Sequence, residues 1–140
     1  MLLISKKDKI FIAGAKGMVG SAIKRKLKEY YYENLECPSK EELDLRNSEL
    51  VSKWFKEKKP SVVILAAAKV GGIYANDKYP VEFLLENLKI QNNVIESAWK
   101  NDSKRLLFLG SSCIYPKHSS QPIKEEELLK SSLEKTNEWY

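Results

Sequence analysis

The sequence predicts an α/β fold in which a doubly wound parallel sheet carries helices on both faces. Short, unbroken apolar runs recur along the chain, as is typical of strands that are buried on both faces. Longer segments with helical periodicity separate these runs, and no connection between them is short enough for a hairpin. The last run ends in two hydroxyls and a thiol, at the place where such sheets bind ligands.

Four apolar runs are the predicted strands. Each is short, and the third is β-branched and unbroken, which favours a strand over a helix. The predicted strands are Lys9–Ala13, Leu35–Cys37, Val62–Ala66 and Leu106–Leu109.

Three helices are predicted between these strands, each supported by apolar residues at helical spacing. Their predicted bounds are Met18 to about Tyr32, a cap at Asn47 or Ser48 to Pro60, and Pro80 to about Lys100. The apolar face of the third helix is predicted to hold Leu84, Leu88, Gln91, Ile95 and Ala98. Residues 69–80 are predicted as a glycine-containing loop, and residues 125–133 as one short helix.

Length and composition favour a single folded domain, because the chain has 140 residues of which 43% are apolar. The net charge of +5 is spread over predicted helix faces without interleaved aromatic residues, which argues against nucleic-acid binding. Two cysteines make no disulfide framework, and the single histidine gives no metal-ligand spacing. The sequence shows neither a signal-peptide pattern nor a run of ~20 apolar residues, so a cytoplasmic protein without a membrane span is expected.

A glycine-rich segment joins the first predicted strand to the first helix. Gly14 permits a tight turn, Gly17 lets the main chain approach a pyrophosphate, and Gly20 lets helix and strand pack closely. The helix N-terminus adds free N–H groups and a partial positive charge. The segment predicts a dinucleotide-binding loop, and a glycine-rich turn that binds nothing is the alternative. Its candidate cofactor-binding residues are Gly14, Lys16, Gly17, Met18, Val19 and Gly20.

Charged residues near the second strand bear on which dinucleotide binds. NAD sites usually carry an acidic residue about 20 residues beyond the glycine loop. Glu36 lies in the second predicted strand, but Lys40 follows it closely and Lys16 lies in the loop itself. Two ammonium groups near the adenosine ribose favour a 2′-phosphate, which predicts NADP(H) over NAD(H). The alternative leaves Lys40 in water and Glu36 on the ribose.

The residues after the fourth predicted strand suit hydride transfer to a ketone. A tyrosine such as Tyr140 can donate a proton to the carbonyl oxygen while the Ser111 hydroxyl holds the same oxygen. The tyrosine pKa, normally about 10, must fall for this role, and a neighbouring lysine would lower it. Cys113 can move a proton at a carbon next to the ketone if its pKa is tuned. A small buried cysteine at a strand end is the alternative.

Four segments of the chain resemble the extended short-chain dehydrogenase/reductase superfamily, and more narrowly the GDP-L-fucose synthases, which are GDP-4-keto-6-deoxy-D-mannose epimerase-reductases. The second and third segments are specific to this narrower family rather than generic to the fold. Together the four cover nearly the whole chain. They are residues 11–23, 65–73, 106–117 and 136–140.

The resemblance implies a Rossmann-type enzyme that epimerises a keto-sugar nucleotide at two carbons and then reduces its ketone with NADPH. It implies that Ser111 and Tyr140 are catalytic and that Cys113 is an acid/base of the epimerisation. Lys16 and Lys40 fall where the family places arginines on the 2′-phosphate, so charge is kept and the bidentate fork is lost. The other cofactor positions that it implies are Asp44 and Leu45 beside the adenine, and Ala66, Ala67 and Ala68 along the cofactor.

The sequence departs from the family pattern at its end. The Tyr-x-x-x-Lys motif stops at Tyr140, and neither its lysine, a histidine partner for Cys113, nor a sugar-nucleotide domain follows. Residues 1–140 are therefore expected to be the N-terminal part of an NADP-binding domain, with an incomplete sheet and an exposed apolar edge. Alone, the chain is expected to bind NADP(H) weakly and to be essentially inactive. A full-length protein is expected to be a homodimer that acts on a GDP-sugar.

Two other functions remain open. A related sugar-nucleotide epimerase or dehydratase would hold NAD tightly, and Lys16 and Lys40 argue against it. A non-catalytic dinucleotide-binding module would suit the short chain, but the presence of Ser111, Cys113 and Tyr140 argues against it. The long third helix is expected to pack either on a second subunit, as in relatives, or on its own sheet.

Overall fold

The computed structural model describes residues 4–139. Its strands and helices alternate as the sequence predicted, with one additional helix. In chain order they are β1 (Ile10–Ala13), α1 (Met18–Glu29), β2 (Leu35–Glu36), α2 (Ser48–Lys58), β3 (Val62–Leu65), α3 (Ile73–Lys78), α4 (Pro80–Lys100) and β4 (Arg105–Phe108). Single turns of 3₁₀ helix follow at Ser112–Ile114, Glu125–Glu127 and Lys135–Asn137.

The strands form one parallel sheet in the order β2-β1-β3-β4. The register between the two central strands runs from Ile10 opposite Val62 to Ala13 opposite Leu65. The chain moves outward from β1 to β2 and then crosses to the other side of β1, so the strand order reverses between β1 and β3. Such a reversal is the switch point at which doubly wound sheets bind ligands. The predicted fold class is confirmed.

The chain divides into two compact units. The first contains the residues up to Ala68 together with Leu88–Leu109, and so includes the whole sheet, α1, α2 and the later part of α4. The second contains Lys69–Asn87 and the residues from Gly110 onward, and so includes α3, the beginning of α4 and the 3₁₀ turns.

The core of the first unit lies on both faces of the sheet, because side chains of β1 and β3 alternate between the faces. On one face, Phe11 packs with α2, and its ring lies 5.6 Å edge-on from the ring of Phe55 and 4.5 Å from that of Trp54. On the other face, Ile12 and its neighbours pack with Ile23 of α1. Each fully buried large side chain contributes about 1.5–3 kcal/mol.

Several element ends differ from the sequence-based prediction for local reasons. Helix α1 ends at Glu29 instead of Tyr32, because Tyr31 adopts a left-handed φ of 59°. The predicted loop 69–80 contains α3, which begins after Gly72. The short helix predicted over 125–133 is wrong beyond one 3₁₀ turn, and Leu129 has a φ of 65° that interrupts helical geometry. The strand bounds shift by one residue, and Asn47 is the cap of α2.

The buried stripe of α4 also differs from the predicted face. Val94 and Ala98 are buried in the core of the first unit, so this part of the helix covers its own sheet. Leu88 and Ile95, which were predicted to share one apolar face with Ala98, are exposed at 37% and 38%. Apolar and amide residues occur together along this helix, so more than one of its faces has apolar residues at helical spacing. Packing against the sheet then determines which face is buried.

Strand β4 is an edge strand of the sheet, and its side chains are exposed. Leu106, Leu107 and Phe108 are apolar yet about half exposed, and among residues 4–139 no strand pairs with the outer edge of β4. An exposed apolar edge was expected from the sequence. No helix in the described range is long and apolar enough to cross a membrane.

A buried carboxylate, that of Asp8, joins the strands at their amino-terminal edge. It accepts hydrogen bonds from the Ser5 N–H at 2.7 Å, the Ser61 hydroxyl at 3.0 Å and the Lys104 ammonium at 2.6 Å. These residues precede β1, β3 and β4, so one side chain links the beginnings of three adjacent strands. The hydrogen bond from Lys104, followed by that from Ser5, holds the pKa of Asp8 well below its usual range.

We expect the substitution Asp8→Ala to lower the free energy of unfolding by about 2 kcal/mol, because hydrogen bonds to a charged group contribute ~1.5–3 kcal/mol. The folded-state pKa of Asp8 is depressed, so its stabilising effect is full above the unfolded-state pKa of about 3.9 and is lost as the pH falls below it. Urea unfolding of the wild type should therefore show a loss of stability between neutral pH and about pH 3 that is smaller in Asp8→Asn. Glu29→Gln, at an exposed carboxylate of α1, is the control, and identical pH dependence in wild type and Asp8→Asn would contradict this role.

Candidate cofactor-binding and catalytic residues

The glycine loop after β1 is built by close contacts between main-chain segments. The N–H of Gly17 donates to the carbonyl oxygen of Gly14 at 2.9 Å. Gly14 has a φ of 82°, and a side chain there would lie 2.6 Å from the carbonyl oxygen of Ala66. A side chain at Gly20 would collide with the main chain of Gly14. The tight turn and the close helix–strand packing are thus present, whereas cofactor binding by this loop stays a prediction.

The beginning of α1 has the chemistry of an anion site. Gly17 precedes the helix and has no side chain to cap it, and the first turn contains no acidic residue. Lys16 and Val19 are exposed, and Met18 is 87% exposed. Gly20 is buried against the loop. A ligand phosphate could therefore accept hydrogen bonds from the first N–H groups of α1 without meeting a side-chain carboxylate.

The two lysines predicted to bind a 2′-phosphate act on the same turn, which follows β2. Hydrogen bonds from Ser39 lower the pKa of Glu42, and the charge of Lys16 lowers it further. The pKa of Glu41 is lowered first by its own main-chain N–H and by Ser39, and then by Lys16 and Lys40. Lys16 lies in the glycine loop, so the loop contributes a positive charge that favours the ionised carboxylates of this turn.

Glu36, the alternative ribose ligand, lies near a lysine of the first unit. Its carboxylate Oε1 lies 3.6 Å from the Nζ of Lys58, at the end of α2. Both side chains of this pair are partly exposed, and a carboxylate beside a lysine can still accept hydrogen bonds, so both alternatives for the ribose stay predictions.

Asp44 and Leu45, predicted to lie beside the adenine, are held in place by other residues. The Asp44 carboxylate receives a forked pair of hydrogen bonds from the Arg46 guanidinium, at 3.0 Å from Nε and 2.7 Å from Nη2. The interaction with Arg46 lowers the pKa of Asp44 to about 2. The carbonyl oxygen of Leu45 accepts a hydrogen bond from the Asn93 amide at 2.9 Å.

Ala66, Ala67 and Ala68 leave β3 at the carboxyl edge of the sheet. The Ala66 N–H donates to the carbonyl oxygen of Ala13 at 3.0 Å, and Ala67 packs partly on the core. Ala68 is exposed. Small side chains at these positions leave the main chain of the segment open to a ligand, and their contact with the cofactor stays a prediction.

In the second unit, Asn87 grips the main chain of Lys69 on both sides. The Lys69 N–H donates to Asn87 Oδ1 at 2.7 Å, and Asn87 Nδ2 donates to the Lys69 carbonyl oxygen at 3.1 Å. The Lys69 ammonium pairs with Glu86 at 2.6 Å. These hydrogen bonds were not predicted from the sequence. The feature that could have indicated them is an amide side chain on the face of α4 that combines apolar and amide residues.

Ser111 and Cys113 lie in the second unit, at the single turn that follows β4. The Ser111 Oγ accepts a hydrogen bond from the Cys113 N–H at 3.1 Å, so this oxygen caps the turn. A hydroxyl that accepts this bond keeps its own proton for donation. Both side chains are half-buried. The structure thus brings the predicted hydroxyl and thiol together on one turn.

Tyr140 lies outside the described residues, so its catalytic role stays a prediction. The segment that leads to it is anchored within the second unit: the buried Asn76 of α3 donates from Nδ2 to Asn137 Oδ1 at 3.0 Å. A second anchor is the ion pair between Lys117 and Glu134 at 2.6 Å. Sequence reasoning singled out neither pair, because each joins residues far apart in the chain.

Comparisons with known proteins agree with this architecture. Residues 10–140 match the model of the NAD dependent epimerase/dehydratase family. The chain is 58% identical over 135 residues to GDP-L-fucose synthase 1 of Arabidopsis thaliana, covering 96% of this chain and 42% of that protein. It is 50% identical over 134 residues to GDP-L-fucose synthase of Escherichia coli, with coverage of 96% and 42%.

A solved structure is similar as well. A GDP-D-glycero-L-gluco-heptose synthase from Campylobacter jejuni, solved in the presence of NADPH, superposes with a TM-score of 0.91 at 41% identity, covering 95% of this chain and 39% of that one. This chain therefore spans about two fifths of the length of the curated relatives it matches.

We expect Gly14→Ala to lower the free energy of unfolding by about 1–3 kcal/mol, because an L-residue is strained at this φ and its Cβ would press on Ala66. Gly72→Ala is the matched control, since Gly72 has an extended φ of −79° and no atom within 4 Å of an added Cβ. Denaturant unfolding of both variants checks this. Equal effects of the two substitutions would show that the close approach at Gly14 does not constrain the fold.

Proposed function

Because the chain belongs to the NAD dependent epimerase/dehydratase family, we propose that it is part of an NADPH-dependent epimerase-reductase that converts GDP-4-keto-6-deoxy-D-mannose to GDP-L-fucose. The relatives named GDP-L-fucose synthase support the substrate class. The observation that carries the proposal is the turn on which Ser111 and Cys113 lie together, directly after a strand that ends at the carboxyl edge of the sheet. The glycine loop between β1 and α1, in the first unit, is the second feature that supports the proposal, because such a loop is typical of dinucleotide-binding folds.

The proposed reaction needs proton transfers that these side chains can perform. Cys113 would take up a proton from one face of a carbon next to the ketone, and an acid on the opposite face, the histidine partner that the family resemblance implies, would give a proton there and so invert that carbon. The Ser111 hydroxyl would donate a hydrogen bond to the ketone oxygen, which gains charge in this step and in the reduction. Tyr140 would give its phenolic proton to that oxygen. The nicotinamide of NADPH would supply the hydride for the ketone carbon.

The cofactor is proposed to be NADP(H) rather than NAD(H). The charges of Lys16, in the glycine loop, and of Lys40 both favour the ionised form of Glu41 in the turn after β2, and Glu36 has the ammonium of Lys58 3.6 Å away. The heptose synthase structure solved in the presence of NADPH supports this choice. Gly14, Gly17, Gly20 and the main chain of Ala66–Ala68 would contact the remainder of the cofactor, with Asp44 and Leu45 beside the adenine.

We propose a cytoplasmic location and, for a full-length protein, a homodimer. The free thiols of Cys37 and Cys113 suit a reducing cytoplasm. The exposed Leu88 and Ile95 of α4 suit a helix that packs on a second subunit in a full-length homodimer.

The cofactor proposal is tested by fluorescence titration of the purified chain with NADPH and NADH. NADPH should bind about tenfold more tightly, which corresponds to about 1.4 kcal/mol from ion pairs with the 2′-phosphate. Lys16→Gln should reduce this preference, because only NADPH carries the 2′-phosphate that the ammonium of Lys16 is proposed to bind. Tighter binding of NADH by the wild type would overturn the choice of NADP(H).

The catalytic behaviour of this chain is tested by NADPH oxidation with GDP-4-keto-6-deoxy-D-mannose. We expect the polypeptide of residues 1–140 to show no turnover above that of its Ser111→Ala variant, because it spans only 42% of the length of GDP-L-fucose synthase 1. GDP-L-fucose synthase of Escherichia coli serves as the positive control. Turnover by the wild-type chain that Ser111→Ala abolishes would refute the expected inactivity and support the assigned serine.

A further inference from the structure

The turn that carries Lys40 is closed by a reciprocal pair of hydrogen bonds. The Ser39 N–H donates to Glu42 Oε2 at 2.6 Å, and the Glu42 N–H approaches the Ser39 hydroxyl oxygen at 3.4 Å. The carbonyl oxygen of Ser39 accepts from the Leu43 N–H at 2.9 Å. This is the arrangement of a capping box, in which a glutamate or glutamine satisfies the N–H of a serine three residues earlier. The Glu42 side chain therefore holds the main chain on both sides of Lys40.

The same turn is anchored to the core. Leu43 is buried in the cluster that contains Phe11 and Phe55. Lys40 itself is exposed, so its ammonium can move through several rotamers while its Cα stays in place. A lysine lacks the rigid fork of an arginine, and the position of its main chain then decides how often the ammonium reaches a ligand.

Glu42 also adds a negative charge to the turn that contains Lys40. Its pKa is lowered first by the hydrogen bonds from Ser39 and then by the charge of Lys16. Glu41, the next carboxylate, is influenced by both Lys16 and Lys40. A phosphate monoester carries a charge of about −1.5 to −2, so a carboxylate beside it opposes binding. The Glu42 side chain thus has two opposed effects, one geometric and one electrostatic.

We propose that Glu42 is a positioning and specificity-determining residue for the 2′-phosphate: its carboxylate holds the turn that presents Lys40, and its charge limits the affinity for the phosphate. The inference rests on the proposed NADP(H) function and concerns only the adenosine end of that cofactor. The two effects of Glu42 are separable, because a glutamine keeps the capping oxygen and removes the charge.

The test measures the Kd values of NADPH, NADH and 2′,5′-ADP for the purified chain and its variants. Glu42→Gln should bind NADPH and 2′,5′-ADP about two- to fivefold more tightly than the wild type, because the repulsion is gone and the cap remains. Glu42→Ala should bind both about threefold or more weakly, because the turn loosens around Lys40. NADH should bind alike to all variants, since it carries no 2′-phosphate.

Two control variants separate charge from geometry. Glu41→Gln removes a neighbouring charge and leaves the Ser39–Glu42 pair in place, so its effect should have the sign of Glu42→Gln. Glu57→Gln removes an exposed charge of α2 that lies 4.0 Å from Lys53, and should change none of the affinities. Amide hydrogen exchange at residues 39–43 gives a ligand-independent measure, and should be faster in Glu42→Ala only.

The outcomes are distinct. Opposite shifts for Glu42→Gln and Glu42→Ala, confined to the two phosphate-bearing ligands, support the proposal. Shifts of the same sign for both variants, equal shifts with NADH, or unchanged exchange at residues 39–43 in Glu42→Ala overturn it. Failure of the wild-type chain to prefer NADPH over NADH overturns the proposed cofactor itself, and is recognised in the wild-type titration before any variant is compared.

Discussion

The close approach of main-chain segments at the carboxyl edge of the sheet is the constraint on which the rest of the structure depends. Gly14 leaves β1 in a left-handed conformation and lies against the carbonyl group of Ala66, while Gly20 brings α1 against the same turn. No residue with a Cβ fits at either position without displacing main chain. Because helix and strands meet so closely, the first N–H groups of α1 lie beside the ends of β1 and β3, where a pyrophosphate can be bound by main chain alone.

The amino-terminal and carboxyl-terminal ends of the strands contribute differently to the protein. At the amino-terminal edge, Asp8 joins the beginnings of three strands through hydrogen bonds to Ser61 and Lys104, which is a contribution to stability. At the carboxyl edge, β1 and β3 lead into the glycine loop and the small residues Ala66–Ala68, which add no large side chain to the core. This division is usual for parallel sheets, whose strands all point the same way and therefore gather their ends. The charges around Lys16 and Lys40 are exposed, so their effect depends on where the turn presents them and on ionic strength more than on their number.

Elements with a strong local signal could be predicted from the sequence, and elements decided by distant contacts could not. Pro80 and the length of the following pattern determined both ends of α4, and Asn47 determined the start of α2 through its side-chain cap. The end of α1 escaped prediction because Tyr31 takes a left-handed φ that no local pattern announces. Helix α3 escaped because a six-residue helix has too few turns to show a period. Among the candidate site residues, the glycines and the Ser111–Cys113 pair could be predicted from their spacing in the sequence. The hydrogen bonds between Asn87 and Lys69 could not, because these residues are 18 positions apart.

By itself the sequence determined the parallel α/β class, the glycine turn and the placement of a hydroxyl and a thiol after a strand, because these follow from short-range periodicity, backbone sterics and chain order. The tertiary structure alone decided which face of α4 is buried and that Glu36 pairs with Lys58. The physical reason is that burial and electrostatic partnership are properties of distances between segments. Those distances are set only when the two faces of the sheet are packed.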